Sequence, residues 1–439
     1  MKIKLSDHFT YSKLLRFVFP SIIMMVFTSI YGVVDGLFVS NFAGKTAFAS
    51  INLVMPFVMI LGGIGFMIGT GGTALVSKVL GEGKKEKANE IFTMMIIFTL
   101  LLGALLSVIG VVSMPWVAKF LGATEEMMAD CILYGRIVTG FTVAFMLQNV
   151  FQSFLIAAEK PKLGLLATVL AGITNMALDA VFIIVFNWGV AGAAIATGLS
   201  QCVGGIFPLI YFLRKNSSLL RLTKTKLEIK PILNACGNGS SELMSNISSS
   251  VVSMIYNFQL MKYVDEDGVS AYGVLMYVQF IFVAIYIGYA IGCAPITGYH
   301  FGARNHNELK NMLRKSSFLS AVSGVVLTIL AIALSSPLAK LFVGYDKELY
   351  ELTRHAFRLF AYSFLLAGFN IFTSSFFTAL NNGAVSAAIS FVRTLIFQTS
   401  SVLILPIFLG VDGIWWAITV AEVFAFILSL IFLFAKRKK

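Results

Sequence analysis

Charge is what this sequence has least of. Only 12% of its 439 residues are Asp, Glu, Lys or Arg, about half the share of a soluble globular chain. Cysteine and histidine are nearly as scarce, at four each. Cys131, Cys202, Cys236 and Cys293 lie scattered in or near apolar runs, with no CxxC spacing and no histidine at ligand distance. That pattern argues against a disulfide framework or a structural metal, and the four read as small buried hydrophobes. His8, His300, His306 and His355 are isolated; His300 and His306 flank a predicted helix end, where solvated or capping roles are expected. No HExxH and no plausible Ser–His arrangement occurs, so an intramembrane enzyme has no machinery here. Gly83-Lys84 is no P-loop, because the GxxxxGK[ST] spacing and a preceding strand are both missing. No stretch of this sequence reads as an extramembrane domain, so a receptor role is not expected.

What is there is apolar. The chain is 58% hydrophobic with a mean hydropathy of +0.87, and runs of about 20 apolar residues recur along its length. They predict an all-α polytopic membrane protein with twelve transmembrane helices. A β-barrel would need short alternating segments instead. The net charge of +12 is explained by loop asymmetry rather than by nucleic acid. With a cytoplasmic N-terminus, 24 of the 33 Lys and Arg fall in the N-terminal arm, even-numbered loops and tail, 8 fall outside, and Arg393 sits within a span. The expectation is a multi-pass plasma-membrane protein with both termini cytoplasmic. The N-terminal arm has no short apolar core or cleavage site, so no removable signal is expected.

The stretch Thr168–Phe186 organises the chain. It is long and apolar enough to cross a bilayer, yet carries Asn175 and Asp179 one turn apart on one face. An Asp at that depth costs about 3 kcal/mol to insert, so it normally faces a polar interior and is there for function. The first span, about 14–38, holds Pro20, which makes a bend plausible, and a second intramembrane acid, Asp35. The second, about 48–80, is rich in glycine. The third and fourth, about 91–113 and 129–157, are joined by PWVAKFLGATEEM, read as an amphipathic outer connection. The fourth carries Gln148, Asn149 and Gln152, and the sixth, about 189–213, presents Thr197 and Gln201.

The pattern then repeats. PWVAKFLG (115–122) echoes PLAKLFVG (337–344), SFLIAAEKP (153–161) echoes SFFTALNNG (375–383), and GVAG (189–192) echoes GVDG (410–413). Arg136 matches Arg358, and Gly71 through Gly81 ends a span as Gly292 through Gly302 does. Shared register at a separation of about 221–222 residues marks a duplication into two six-helix halves related by an axis along the membrane normal. The predicted division is an N-lobe over 1–213, a basic cytoplasmic linker over 214–231 and a C-lobe over 232–439. The halves are chemically unequal. Asp35 pairs with Asn257 and Asp179 with Ser401, while the C-lobe has its own Glu242, Arg393 and Glu422. An ion pair between Arg393 and Glu422 is one expectation for them, and snorkelling of Arg393 the other.

These pieces together resemble the multidrug and toxic compound extrusion (MATE) transporters. The matching residues are Pro20 with YGVVDGLFVSNFAG (31–44), GTGGTALVSKVLGEGK (69–84), AAEKP (157–161), NMALDAVF (175–182), GVAGAAIAT (189–197), AYGV (271–274), IGCAPITGYHFGARN (291–305) and the GVDG turn. GSSELMSN (239–246) and the basic loops are most similar to the bacterial DinF/MepA-like branch. The resemblance implies two six-helix bundles around a cavity that alternates between membrane sides. It implies multidrug efflux by antiport: export of small, lipophilic, often cationic compounds, driven by H+ or Na+ entry, with no other cofactor. In the branch with an N-lobe ion site the matching residues here are Asp35, Asn175, Asp179 and Thr197, with Na+ a competitor for H+ at Asp35 and Asp179. The C-lobe cation site of NorM-like members is not expected, because the tenth span, about 350–380, has Asn370 but no acid in its apolar middle, and Glu242 does not align with the acid on the seventh helix of those members.

Expected cavity or gate residues are Pro20, Gln148, Gln152, Glu242, Met55, Met254, Met276 and Tyr277, since adaptable Met and aromatic surfaces suit promiscuous binding. A monomer with lipid neighbours and no nucleic-acid partner completes the expectation. The alternative function is a lipid-linked oligosaccharide or metabolite flippase of the same superfamily, which would want several basic residues inside its spans.

Overall fold

In the computed structural model, which describes residues 3–437, helix α1 (Tyr11–Phe38) runs unbroken through Pro20 and ends in a π-helical turn, Val39–Ala43. It is followed by α2 (Lys45–Gly81), α3 (Lys85–Phe120), α4 (Glu125–Gly140), α5 (Thr142–Ala157), α6 (Pro161–Asp179) and α7 (Gly189–Leu213). The second half holds α8 (Ile229–Tyr263), α9 (Glu266–Gly302), α10 (His306–Val343), α11 (Lys347–Phe360), α12 (Phe364–Ala379), α13 (Gly383–Phe391), α14 (Gln398–Leu409) and α15 (Val411–Arg437). No strand occurs among the described residues. Among the described residues, ten helices or helix runs are long and apolar enough to cross a membrane, and α4 with α5 forms an eleventh, bent span. The twelfth crossing is α8, whose 35 residues reach about 52 Å but are too polar to register as a span. The molecule is a multi-pass membrane protein of two six-span lobes.

Several boundaries differ from the sequence reading for local reasons. The predicted fourth span is bent by 54° between α4 and α5. Phe141 sits at the break with its ring against Gly198 of α7, and the Thr142 hydroxyl donates to the Thr139 carbonyl at 2.7 Å. The predicted outer connection after the third span is mostly helix. α3 continues through Pro115 to Phe120, Gly122 takes a left-handed φ of 91°, and Thr124 caps α4. The residues after α7 form no free tether either. Backbone amides of Arg221 and Thr223 donate to the Asn89 and Thr93 side chains on α3, and Leu220 is fully buried.

The duplication is written in the backbone. Glu159 and Asn381 adopt left-handed φ of 59° and 55° at matched positions of the AAEKP and ALNNG turns. Gly83 and Arg304 match in the same way, as do Gly189 and Gly410. The closing bonds match too: Lys160 N to Leu155 O corresponds to Asn382 N to Phe377 O, and Lys84 N to Val79 O to Asn305 N to His300 O. Same sequence register therefore means the same helix termination.

The lobes meet backbone to backbone at the end that carries the basic turns. A Cβ on Gly81 would fall 1.9 Å from the Tyr299 carbonyl oxygen, and one on Gly302 would fall 1.9 Å from that of Lys78. Gly71 and Gly239 make a similar reciprocal approach between α2 and α8. Only glycine permits such contact. At the same end the N-terminal arm straps the lobes together. Leu5 and Phe9 are fully buried, the Leu5 amide donates to Glu159 at 3.0 Å, and Glu308 accepts from the Phe9 amide at 3.0 Å and pairs with His8 at 2.6 Å.

Candidate functional sites in the two lobes

The N-lobe gathers all four members of the predicted acid cluster. Asp179 ends α6 and is wholly buried, Asn175 lies one turn earlier at 2% exposure, and Asp35 on α1 looks onto both. Small Gly172 on α6 lets α1 come this close, since its Cβ position is occupied by the Phe27 and Tyr31 rings. Thr197 on α7 joins the set through Tyr134, which lies near both aspartates and beside Thr197. Among the described residues, five buried oxygens here have no hydrogen-bond partner: Asp35 Oδ1, Asn175 Oδ1, both carboxylate oxygens of Asp179, and Thr197 Oγ1. Tyr134, 1% exposed on α4 with an equally unpartnered hydroxyl, stands beside Thr197 and was not anticipated. A lone tyrosine in a span carries no sequence signal that separates it from core. Among the described residues neither aspartate has an ion pair. Buried polar groups are normally paired, so this concentration of bare oxygens suits a small cation. Carboxylates, an amide oxygen and a hydroxyl are hard ligands that accept a proton or Na+ equally by type.

Two π-helical turns adjoin this cluster, Val39–Ala43 a turn beyond Asp35 and Ala180–Val185 directly after Asp179. Such turns recur at functional sites because the extra residue re-aims side chains at a local cost in helix regularity.

The predicted cavity residues scatter. Gln148 and Gln152 are 5% and 4% exposed in a closed crevice with Thr168, Gly204 and Pro208. Pro20 is buried in the α1 core face. Met55 packs into the N-lobe cluster around Val54 and Tyr134. Met254 is 57% exposed, and Tyr277, 40% exposed, stacks on Phe342. Glu242 and Met276 do come together, on a C-lobe cavity of about 230 Å3. This cavity explains why α8 is too polar to read as a span. Glu242, Ser245, Ser249, Val252, Ser253 and Tyr256 follow helical spacing down one face and all line it.

The cavity lining also includes Arg393, within a third π-helical turn, Val392–Phe397. Its Nε and Nη2 donate to Glu422 at 3.0 and 2.7 Å. Glu422 is 2% exposed and also accepts from Asn370 Nδ2 at 2.7 Å, while Ser429 donates to Asn370 Oδ1 at 3.2 Å. Of the two expectations for Arg393, the ion pair is the one realised. His300 departs from its expected solvated role. It is 2% exposed, with neither ring nitrogen hydrogen-bonded among the described residues.

Two lobes of six spans each, duplicated in register and each holding a buried charged site, define an α-helical membrane transporter. A family model described as MatE matches residues 20–181 and 243–401, and the chain belongs to that family. It is 23% identical over 435 residues to the multidrug export protein MepA of Staphylococcus haemolyticus (strain JCSC1435), covering 98% of this chain and 94% of that protein. Among solved structures it is similar to a MATE protein in complex with MaL6, with a TM-score of 0.92, 22% identity and 98% of each chain covered. It is equally similar, again at 0.92, 22% and 98% of each chain, to the outward-facing conformation of a multidrug resistance MATE family transporter of the MOP superfamily. Members of the family are transporters rather than enzymes.

Proposed function

We propose that this protein is a secondary active exporter of small lipophilic, often cationic compounds, working by alternating access. Entry of H+, or of Na+ in its place, drives export through Asp35, Asn175, Asp179 and Thr197. The basic turns and both termini face the cytoplasm. The observation that carries the reading is the pair of unpaired aspartates set among bare oxygens inside the N-lobe. Two carboxylates facing each other in a dry lobe repel, so the lobe closes at low cost only with a cation bound or a proton shared between them. A lobe that is stable closed when loaded, and open when empty, has the differential affinity between states that coupling requires. The name of the MepA relatives, multidrug export protein, supports the substrate class. A lipid-linked oligosaccharide flippase is less favoured, because such a cargo wants several basic residues along its path and the spans offer little beyond Arg393, whose charge is balanced by Glu422.

Ethidium efflux from proteoliposomes under an imposed pH gradient, and separately a Na+ gradient, tests this. Asp35→Asn and Asp179→Asn are each expected to reduce gradient-driven export about ten-fold or more while leaving the protein folded. Export by both variants at the wild-type rate removes the N-lobe from the coupling step. The gradient that works names the ion.

A further inference from the structure

The C-lobe cavity holds charges that the coupling scheme does not use. Glu242 lines it from α8 with neither an ion pair nor a side-chain hydrogen bond among the described residues. Arg393 lines the same cavity, spends Nε and Nη2 on Glu422, and its Nη1 makes no hydrogen bond among the described residues. Asn370, itself held by a hydrogen bond from Ser429, holds Glu422 in place, so the guanidinium is fixed with one edge uncommitted. An immobilised guanidinium fork is well suited to a carboxylate, which it can meet without further loss of side-chain freedom. Neutral donors and acceptors, Gln279, Gln398, Ser374 and Ser390, line the same cavity. None of this is inherited from the duplication. In the shared register Arg393 falls against Ala171–Gly172, Glu242 against Pro20–Ser21 and Glu422 against Ser200–Gln201.

We propose that this cavity is a second ligand site that takes an amphoteric solute, one whose carboxylate meets Arg393 and whose amine meets Glu242. The inference deepens the transport reading by naming a substrate class. Its test is a binding measurement without any gradient, so either idea can fail alone. The full chain in lipid nanodiscs is titrated with rhodamine 110, which carries a free carboxylate and amines, and with rhodamine 123, its methyl ester.

Wild type is expected to bind the acid about ten-fold more tightly than the ester, the scale of one charge-assisted contact. The paired variant Arg393→Gln/Glu422→Gln, which keeps the wall neutral, brings that ratio close to one. Glu242→Gln weakens both dyes, since both keep the amines. Should the paired variant fail to fold, Arg393→Lys decides. It retains the charge and the Glu422 partner but loses the fork, and the ratio must fall there too. Equal binding of the two dyes by wild type overturns the proposal. A preference that survives in whichever Arg393 variant folds does the same.

Discussion

At the scale of single residues, the C-lobe pair shows how a charge is held at bilayer depth. Glu422 is 2% exposed and both of its oxygens are occupied, by Arg393 and Asn370. Removing one partner of such a pair strands the other as an unpaired buried charge. Arg393→Ala is therefore expected to destabilise the protein by about 3 kcal/mol, read as a fall in thermal unfolding midpoint in detergent. Arg393→Met with Glu422→Leu removes both charges, and should recover most of that loss. The sequence placed Arg393 and Glu422 in spans, and the acids Asp35 and Asp179 as well, because one charged residue in twenty apolar ones stands out without any alignment. It did not reveal that Tyr134 joins the N-lobe oxygens or that His300 is buried. Both residues are amphipathic types that occur on either side of a helix, and only neighbouring helices decide which.

At the scale of elements, the reciprocal glycines between α2 and α9 set how closely the lobes can shut. A methyl group at Gly81 or Gly302 would collide with a backbone carbonyl rather than a movable side chain. Gly81→Ala is expected to cost about 1–3 kcal/mol in the closed arrangement of this end, and to favour its opening. Faster hydrogen exchange across residues 78–84 and 299–305 would register it; unchanged exchange would mean the contact is easily relieved. The N-terminal arm works on the same joint. Glu308→Ala removes the acceptor for the Phe9 amide and the partner of His8, so protection at Phe9 should fall while the α3 and α5 core is unaffected. The span pattern was legible from apolar run length. The 54° bend at Phe141 and the three π-helical turns were not, since each answers to packing against another helix.

For the whole molecule, the orientation argument is the most exposed to test. In a background lacking Cys131, Cys202, Cys236 and Cys293, a membrane-impermeant maleimide applied to intact cells should label Asp346→Cys but not Asn216→Cys. The reverse pattern would invert the direction of transport proposed above. The basis is charge distribution, 24 basic residues on one side against 8 on the other, which biases insertion before any tertiary contact forms.

Apolar run length, loop charge and register by themselves determined the class of this protein: a polytopic helical chain, built twice, with two acids in its first half. These are properties each segment has alone in lipid, where backbone hydrogen bonds must be satisfied within the span. Only the tertiary structure decided which polar residues meet. It set Asp35 against Asp179, closed the lobes at the glycine pairs, strapped the arm across them, and turned the serine-rich face of α8 into one wall of a charged cavity. Such pairings join residues far apart in the chain, and their energy depends on a partner's position that no local pattern encodes.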